Sequence, residues 1–205
     1  MKVLIYDSGL GLISVVREII KQKKENDYYL FIDKEYFPFG RKKPIQLKNR
    51  LEYLFSIWKK EDYEMIIIAC NTMSLIYRKY FKSEDKVICI GDYTLNHLDD
   101  NSLIIATSTF SKLANRNHKI KATLLAEYIE NKNIRKIIST IKKMHFSKKN
   151  IILGCTHYPL IKPIFEKYHK KNKFMSYEDE LVKKIKDDGH MSFTSNIELD
   201  DFFIS

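Results

Sequence analysis

The 205-residue chain has little of what punctuates or staples a fold: 6 glycines, 4 prolines and 3 cysteines. An odd, sparse cysteine count fits a reducing compartment better than a disulfide framework. No stretch approaches the roughly 20 apolar residues of a membrane-spanning helix. The opening Met1-Lys2-Val3-Leu4-Ile5-Tyr6-Asp7 turns polar too soon for the apolar region of a signal peptide. These absences predict a cytoplasmic protein with no membrane partner. No Gly/Ser/Pro-rich linker is present, so a second domain must pack closely on the first. No short-period repeat is visible. Gly9-Leu10-Gly11 is a fragment of a dinucleotide fingerprint, but Ser14 stands where the third glycine would be, which excludes a nicotinamide site on that motif.

One charge sign is in excess. The formal net charge is +10, which raises the question of a nucleic-acid partner. The lysine pairs, among them Lys142-Lys143, Lys148-Lys149 and Lys170-Lys171, read as scattered through helical stretches with acidic residues among many of them. Excess Lys, Ile and Asn is also what the codon usage of an AT-rich genome produces. The charge is therefore read as a solvated surface, and no nucleic-acid partner is expected.

What the chain does have is an ordered series of apolar runs. Val3 to Tyr6 ends at Asp7-Ser8-Gly9 and precedes an amphipathic stretch from Leu12 to Gln22, which predicts strand, turn and helix. Tyr28 to Asp33 is a second strand, followed by the loop Phe37-Pro38-Phe39-Gly40 and a helix over 45–60. Met65 to Ala69 is a continuous apolar run, as expected of a strand buried on both faces of a parallel sheet. It ends at Cys70-Asn71-Thr72. Val87 to Ile90 and Leu103 to Thr107 repeat the pattern, and Ile151 to Leu153 leads into Gly154-Cys155-Thr156-His157. Strands alternating with helices predict an α/β fold with mainly parallel sheets, whose ligand sites lie at the carboxyl ends of the strands.

The runs 66–72 and 151–157 echo one another, each placing a cysteine at a strand end, which suggests two similar halves. A cysteine at a helix start sits among free backbone N–H groups, a setting that lowers a thiol pKa toward neutrality. A free cysteine commonly just packs, but two in matching contexts are hard to explain as packing. Neither lies in a Cys-x-x-Cys or paired-histidine spacing, so no metal is expected. Cys89, inside an apolar run, reads as inert core. His157 could orient or charge-stabilise a thiolate at Cys155. Asp7 and Ser8 suit a helix cap as well as a catalytic role.

Assembled in order, Asp7-Ser8-Gly9, Pro38-Phe39-Gly40, Ala69-Cys70-Asn71-Thr72 and Gly154-Cys155-Thr156-His157-Tyr158-Pro159 resemble the DSG, PYG, ACNT and GCTHYP signatures of the glutamate racemase family. The resemblance implies two α/β domains with pseudo-twofold symmetry and the active site in the cleft between them. The first domain would be residues 1–92 with 174–205, and the second 93–173. It implies Cys70 and Cys155 as acid/base thiols, assisted by Asp7 and His157 respectively. Ser8, Pro38, Phe39, Gly40, Asn71, Thr72, Thr107 and Thr156 would hold the amino acid, and Glu130 matches a further glutamate of the family. No cofactor is implied, and a homodimer is compatible. Departures are Phe39 in place of a tyrosine, Leu12 in place of a glycine, Ala122-Thr123 in place of Cys-Pro, and missing length between 92 and 150.

The implied reaction is cofactor-independent racemisation of glutamate, supplying D-glutamate to the peptidoglycan of a cell wall. One base takes the Cα proton and a second acid delivers another to the opposite face. The alternatives are racemisation of aspartate or a related amino acid, and a degenerate homologue that binds an amino acid without turnover.

Overall fold

The computed structural model describes residues 1–114 and 119–197. The first half begins with β1 (Lys2–Asp7), a 3-10 turn at Leu10–Leu12 and α1 (Ile13–Lys21). Then come β2 (Asp27–Ile32), α2 (Pro44–Trp58), β3 (Met65–Ile68), α3 (Asn71–Tyr80), β4 (Val87–Cys89) and α4 (Ile90–Asn96). The second half has β5 (Ser102–Ala106), α5 (Ser108–Leu113), β6 (Lys119–Lys121), α6 (Thr123–Glu130) and α7 (Ile134–Lys142). It continues through β7 (Asn150–Gly154), a 3-10 turn at Tyr158–Ile161, α8 (Lys162–Tyr168) and β8 (Lys173–Met175). The chain then returns through α9 (Glu178–Val182) to β9 (Ser192–Ser195), which pairs with β2.

Every ladder is parallel. The first sheet has the order β4-β3-β1-β2-β9 and the second β6-β5-β7-β8. Read from its other edge, the second is β8-β7-β5-β6, the same arrangement as β4-β3-β1-β2. The echo at 66–72 and 151–157 is thus the third strand of each half. β8 pairs with β7 through Met175, so the second sheet extends past the boundary expected at 174. Residues 198–205 of the expected C-terminal return lie outside the described residues. The strand expected over 87–90 ends at Cys89, and Ile90 opens α4.

Each sheet is covered on both faces, which is why the central strands are continuously apolar. On the first sheet, Val3 and Ile5 face Val16, Ile19 and Leu181, while Leu4, Ile66 and Ile68 face Leu51, Leu54 and Ile76. On the second, Leu103, Ile151 and Leu153 pack on Leu125, Ile137 and Phe165. The other face of the second sheet, through Ile104, Ala106 and Ile152, meets Leu75 of α3 and Leu98 of the segment after α4. That shared apolar layer packs α3 of the first half against the second sheet. No helix among the described residues is long and apolar enough to cross a membrane.

Candidate active site

In an open parallel sheet a crevice forms where neighbouring strands send their connections to opposite sides. Here that point lies between β1 and β3 in the first sheet and between β5 and β7 in the second. Asp7-Ser8 and Cys70 leave one crevice, and Thr107 and Cys155 leave the other. One cavity joins them, lined by Ser8, Pro38, Phe39, Gly40, Cys70 and Asn71, and by Thr72, Thr107, Cys155, Thr156 and His157. Of the residues expected from sequence, Asp7 and Glu130 stand behind this wall. The cavity volume is about 10 Å³, about what one water requires.

Polar contacts cross between the halves around the cavity. Thr156 Oγ1 donates to Asp7 Oδ2 at 2.6 Å, and the Leu10 N–H donates to Glu130 Oε2 at 3.0 Å. The hydroxyls of Thr72 and Thr107 meet at 2.9 Å, and Thr109 Oγ1 donates to the Gly40 and Lys42 carbonyls, each at 3.0 Å. Arg41 Nε lies 2.8 Å from Glu127 Oε1. Two glycines make the approach feasible. A Cβ on Gly11 would stand 2.5 Å from Thr156 Oγ1 and 2.7 Å from His157 Nδ1, and one on Gly40 would stand 2.5 Å from Thr107 Cβ. Gly11, the remnant of an apparent nucleotide motif, is there for close packing.

Cys70 caps α3 from the end of β3, as its sequence context predicts. Its thiol, however, is pushed well above the ordinary range, first by burial and then by the charges of Asp7 and Cys155. Backbone N–H groups of Met73 and Thr72 pull the other way and are outweighed. The lowered pKa expected from the helix start is thereby corrected: partial charges at a helix end are smaller than full desolvation beside a carboxylate. Asp7 is fully buried, and desolvation raises its pKa against the opposing effects of His157, Thr156 and Ser8. Its own hydrogen bonds run to the Ser8 N–H at 2.6 Å and to Thr156.

Cys155 differs from Cys70 in the backbone on its C-terminal side. After β7 the chain makes a bend and the 3-10 turn, and α8 begins only at Lys162, so the helix-start setting expected for Cys155 is absent. His157 takes its place. Nδ1 is 3.7 Å from Cys155 Sγ, and Nε2 is 2.8 Å from Glu130 Oε2. Burial opposes the imidazolium, but the bonds to Cys155 and Glu130 and the charge of Asp7 carry its pKa up to about 10. Near neutral pH this places a cation against the Cys155 sulfur. Glu130 also ties His157 to the Leu10 backbone.

No family model matches the chain. The glutamate racemase of Buchnera aphidicola is 31% identical over 211 residues, covering 89% of this chain and 82% of that protein. The chain belongs to the glutamate racemase family. Solved members have the same fold. The glutamate racemase of Campylobacter jejuni aligns with a TM-score of 0.77 at 22% identity, covering 97% of this chain and 93% of that one. That of Francisella tularensis, in complex with D-glutamate, aligns with a TM-score of 0.78 at 19% identity, over 99% and 93%.

Phe39, which departs from the tyrosine of the family signature, is fully buried with its ring centroid 6.0 Å from that of Tyr6, and it gives the cavity an apolar wall. Three lining residues were not foreseen: Phe37, Thr123 and Ala126. Phe37 lies 5.8 Å ring to ring from His157. Thr123, in the dipeptide marked as a departure, accepts from the Ser108 N–H at 2.9 Å. Its place in the wall was legible only as an irregularity. Ala126 carries no sequence signal, being one small residue on the inner side of α6.

Proposed function

We propose that this protein interconverts L- and D-glutamate without a cofactor, with Cys70 and Cys155 exchanging roles as acid and base on opposite faces of Cα. The observation that carries the reading is the meeting of two cysteines from different sheets in one cavity, within a member of the glutamate racemase family. In one direction Cys155, as thiolate beside the His157 cation, takes the Cα proton, and the Cys70 thiol delivers its own to the other face. In reverse, Cys70 must first lose its proton. The N–H groups of Thr72 and Met73 then hold its charge.

Thr94 Oγ1 donates to Asn71 Oδ1 at 2.7 Å. That leaves the Asn71 NH₂, with the Ser8, Thr72, Thr107 and Thr156 hydroxyls, to bind carboxylate and ammonium groups. Phe37, Pro38, Phe39 and Ala126 keep the carbanion-like state away from water, so that these fixed dipoles act at low dielectric. The cavity is smaller than any amino acid. We therefore read the two halves as domains, residues 1–92 with the return beyond Met175 on one side and the intervening chain on the other, that part to admit substrate. The three free cysteines support a reducing cytoplasm as the enzyme's compartment, and D-glutamate fits peptidoglycan synthesis.

The test is chiral chromatography of purified protein with each glutamate enantiomer and no added cofactor. Conversion from both sides to an equal mixture is expected. Preference for aspartate would move the assignment to that substrate, and binding without exchange of the α-deuterium would make the protein a non-catalytic homologue.

A further inference from the structure

The charge of this chain is concentrated. The stretch 131–177 holds twelve of the 36 basic residues and one of the 26 acidic ones, Glu166. Its net +11 accounts for the whole formal charge of +10, and the remaining 158 residues carry 24 basic against 25 acidic groups. Codon bias toward lysine would enrich the whole chain and would not strip carboxylates from one segment. The pairs Lys142-Lys143, Lys148-Lys149 and Lys170-Lys171, which read as scattered in sequence, belong to one block.

Folding gathers this block further. Lys142 Nζ lies over the Tyr168 ring, 4.8 Å from its centroid. His169 Nε2 is 2.8 Å from the Ile141 carbonyl oxygen, and Asn172 Nδ2 donates to the Lys148 carbonyl at 2.8 Å. The Lys173 N–H donates to the Lys149 carbonyl, also at 2.8 Å. These contacts unite the end of α7, the loop into β7 and the α8–β8 loop in one face. On it Lys142, Lys143, Lys149, Lys170, Lys171 and Lys173 are exposed. Residues 167–172 line an open depression there. Glu166 lies 3.9 Å from Lys162. The face is at the amino ends of β7 and β8, a strand's length (roughly 16 Å) from the cysteine cavity at their carboxyl ends.

We infer that this face binds the phosphodiester backbone of a nucleic acid. Clustered like charges repel one another, and a polyanion relieves that repulsion while releasing its own counterions. Among the described residues, none of the exposed large apolar side chains lies between 142 and 173. The face therefore offers no wedge for a lipid surface and no anchor for an apolar protein partner. Lysines, as flexible point charges, suit phosphate contact rather than base reading.

Fluorescence anisotropy with labelled single-stranded RNA and duplex DNA of about 20 nucleotides, from about 50 to 200 mM salt, tests this. The combined variant Lys143→Glu, Lys149→Glu, Lys170→Glu, Lys171→Glu is compared with a control reversing exposed Lys23, Lys59, Lys60 and Lys82 on the first half. We expect the first set to weaken binding at least tenfold at low salt and to flatten the log–log salt slope by about 3, the loss of four phosphate contacts. The control should change affinity less than about twofold, since it removes no such contact. Binding of either nucleic acid supports the inference, and the two arms identify which. A Lys→Gln set at the same four positions must give the same ranking, and circular dichroism melts check that each variant folds. Absence of binding at low salt, equal loss in both sets, or tighter binding to vesicles of phosphatidylcholine and phosphatidylserine would overturn it.

Discussion

The ends of β3 and β7 occupy equivalent places in two sheets of the same strand order, and each presents a cysteine to the same cavity. Around Cys70 the nearby full charge is the Asp7 carboxylate, with backbone donors in opposition, and burial keeps the thiol protonated. Around Cys155 the nearby full charge is an imidazolium braced by Glu130. The frame is pseudo-symmetric, whereas the charges that surround the two thiols differ in sign. A symmetric reaction does not need symmetric bases. It needs one group that takes a proton and one that gives it, and burial beside Asp7 already holds Cys70 in the giving state.

The largest break in the comparison is removal of either sulfur. Cys70→Ala and Cys155→Ala should each reduce racemisation by about 10³-fold or more, in line with loss of a positioned acid or base. Chiral chromatography from both enantiomers reads this. If either variant kept more than a tenth of the activity, the two thiols would not be partners.

Next is the cation. His157→Asn should lower kcat/KM by roughly 10²-fold. Enantiomers have equal free energy in water, so the overall equilibrium constant is one and kcat/KM must fall equally in both directions. The asymmetry has to appear in kcat and KM taken separately, and steady-state curves from L- and D-glutamate would reveal it. Identical kcat changes in the two directions would mean that His157 serves both thiols alike.

Much of this was legible in the sequence because central strands of a parallel sheet are buried on both faces and so announce themselves as apolar runs. The strands that escaped, β6 (Lys119–Lys121), β8 (Lys173–Met175) and β9 (Ser192–Ser195), are edge strands, short and partly polar, with solvent on one side. The motif residues were found because their types carry chemistry. Thr123 and Ala126 were not, since only packing of α6 on the cavity gives them a role. The direction of the Cys70 pKa shift also required the fold: a helix start is visible in sequence, whereas complete burial beside Asp7 is not.

A finer test removes the brace. The His157 pKa is raised to about 10 from 6.5. A raised pKa means that the cation's contribution to stability is complete below 6.5 and is lost as pH rises through about 10. Activity that depends on the cation should fall over the same upper range. Glu130→Gln takes away one of the causes of the shift, so its alkaline limb should move to lower pH. A deficit of about tenfold at mildly alkaline pH is expected, smaller near neutrality. Unchanged alkaline limbs in kcat/KM profiles would remove Glu130 from this role.

The smallest effect is expected at the third cysteine, which sharpens what sets the other two apart. Cys89 also ends a parallel strand and caps the next helix, so its backbone setting matches that of Cys70. The difference is position in the sheet. β4 is an edge strand away from the crevice between β1 and β3, and its end is covered by Ser74, whose hydroxyl accepts from the Gly91 N–H at 3.1 Å. Cys89 is completely buried, and desolvation followed by the Asp92 charge pushes its thiol up to about 12. Cys89→Ala should leave kcat/KM within about twofold and cost about 1 kcal/mol of stability in urea unfolding, the loss of one packed atom from a core. A large loss of activity with the fold intact would mean that the strand end itself, rather than the crevice it opens on, is what makes a thiol work here.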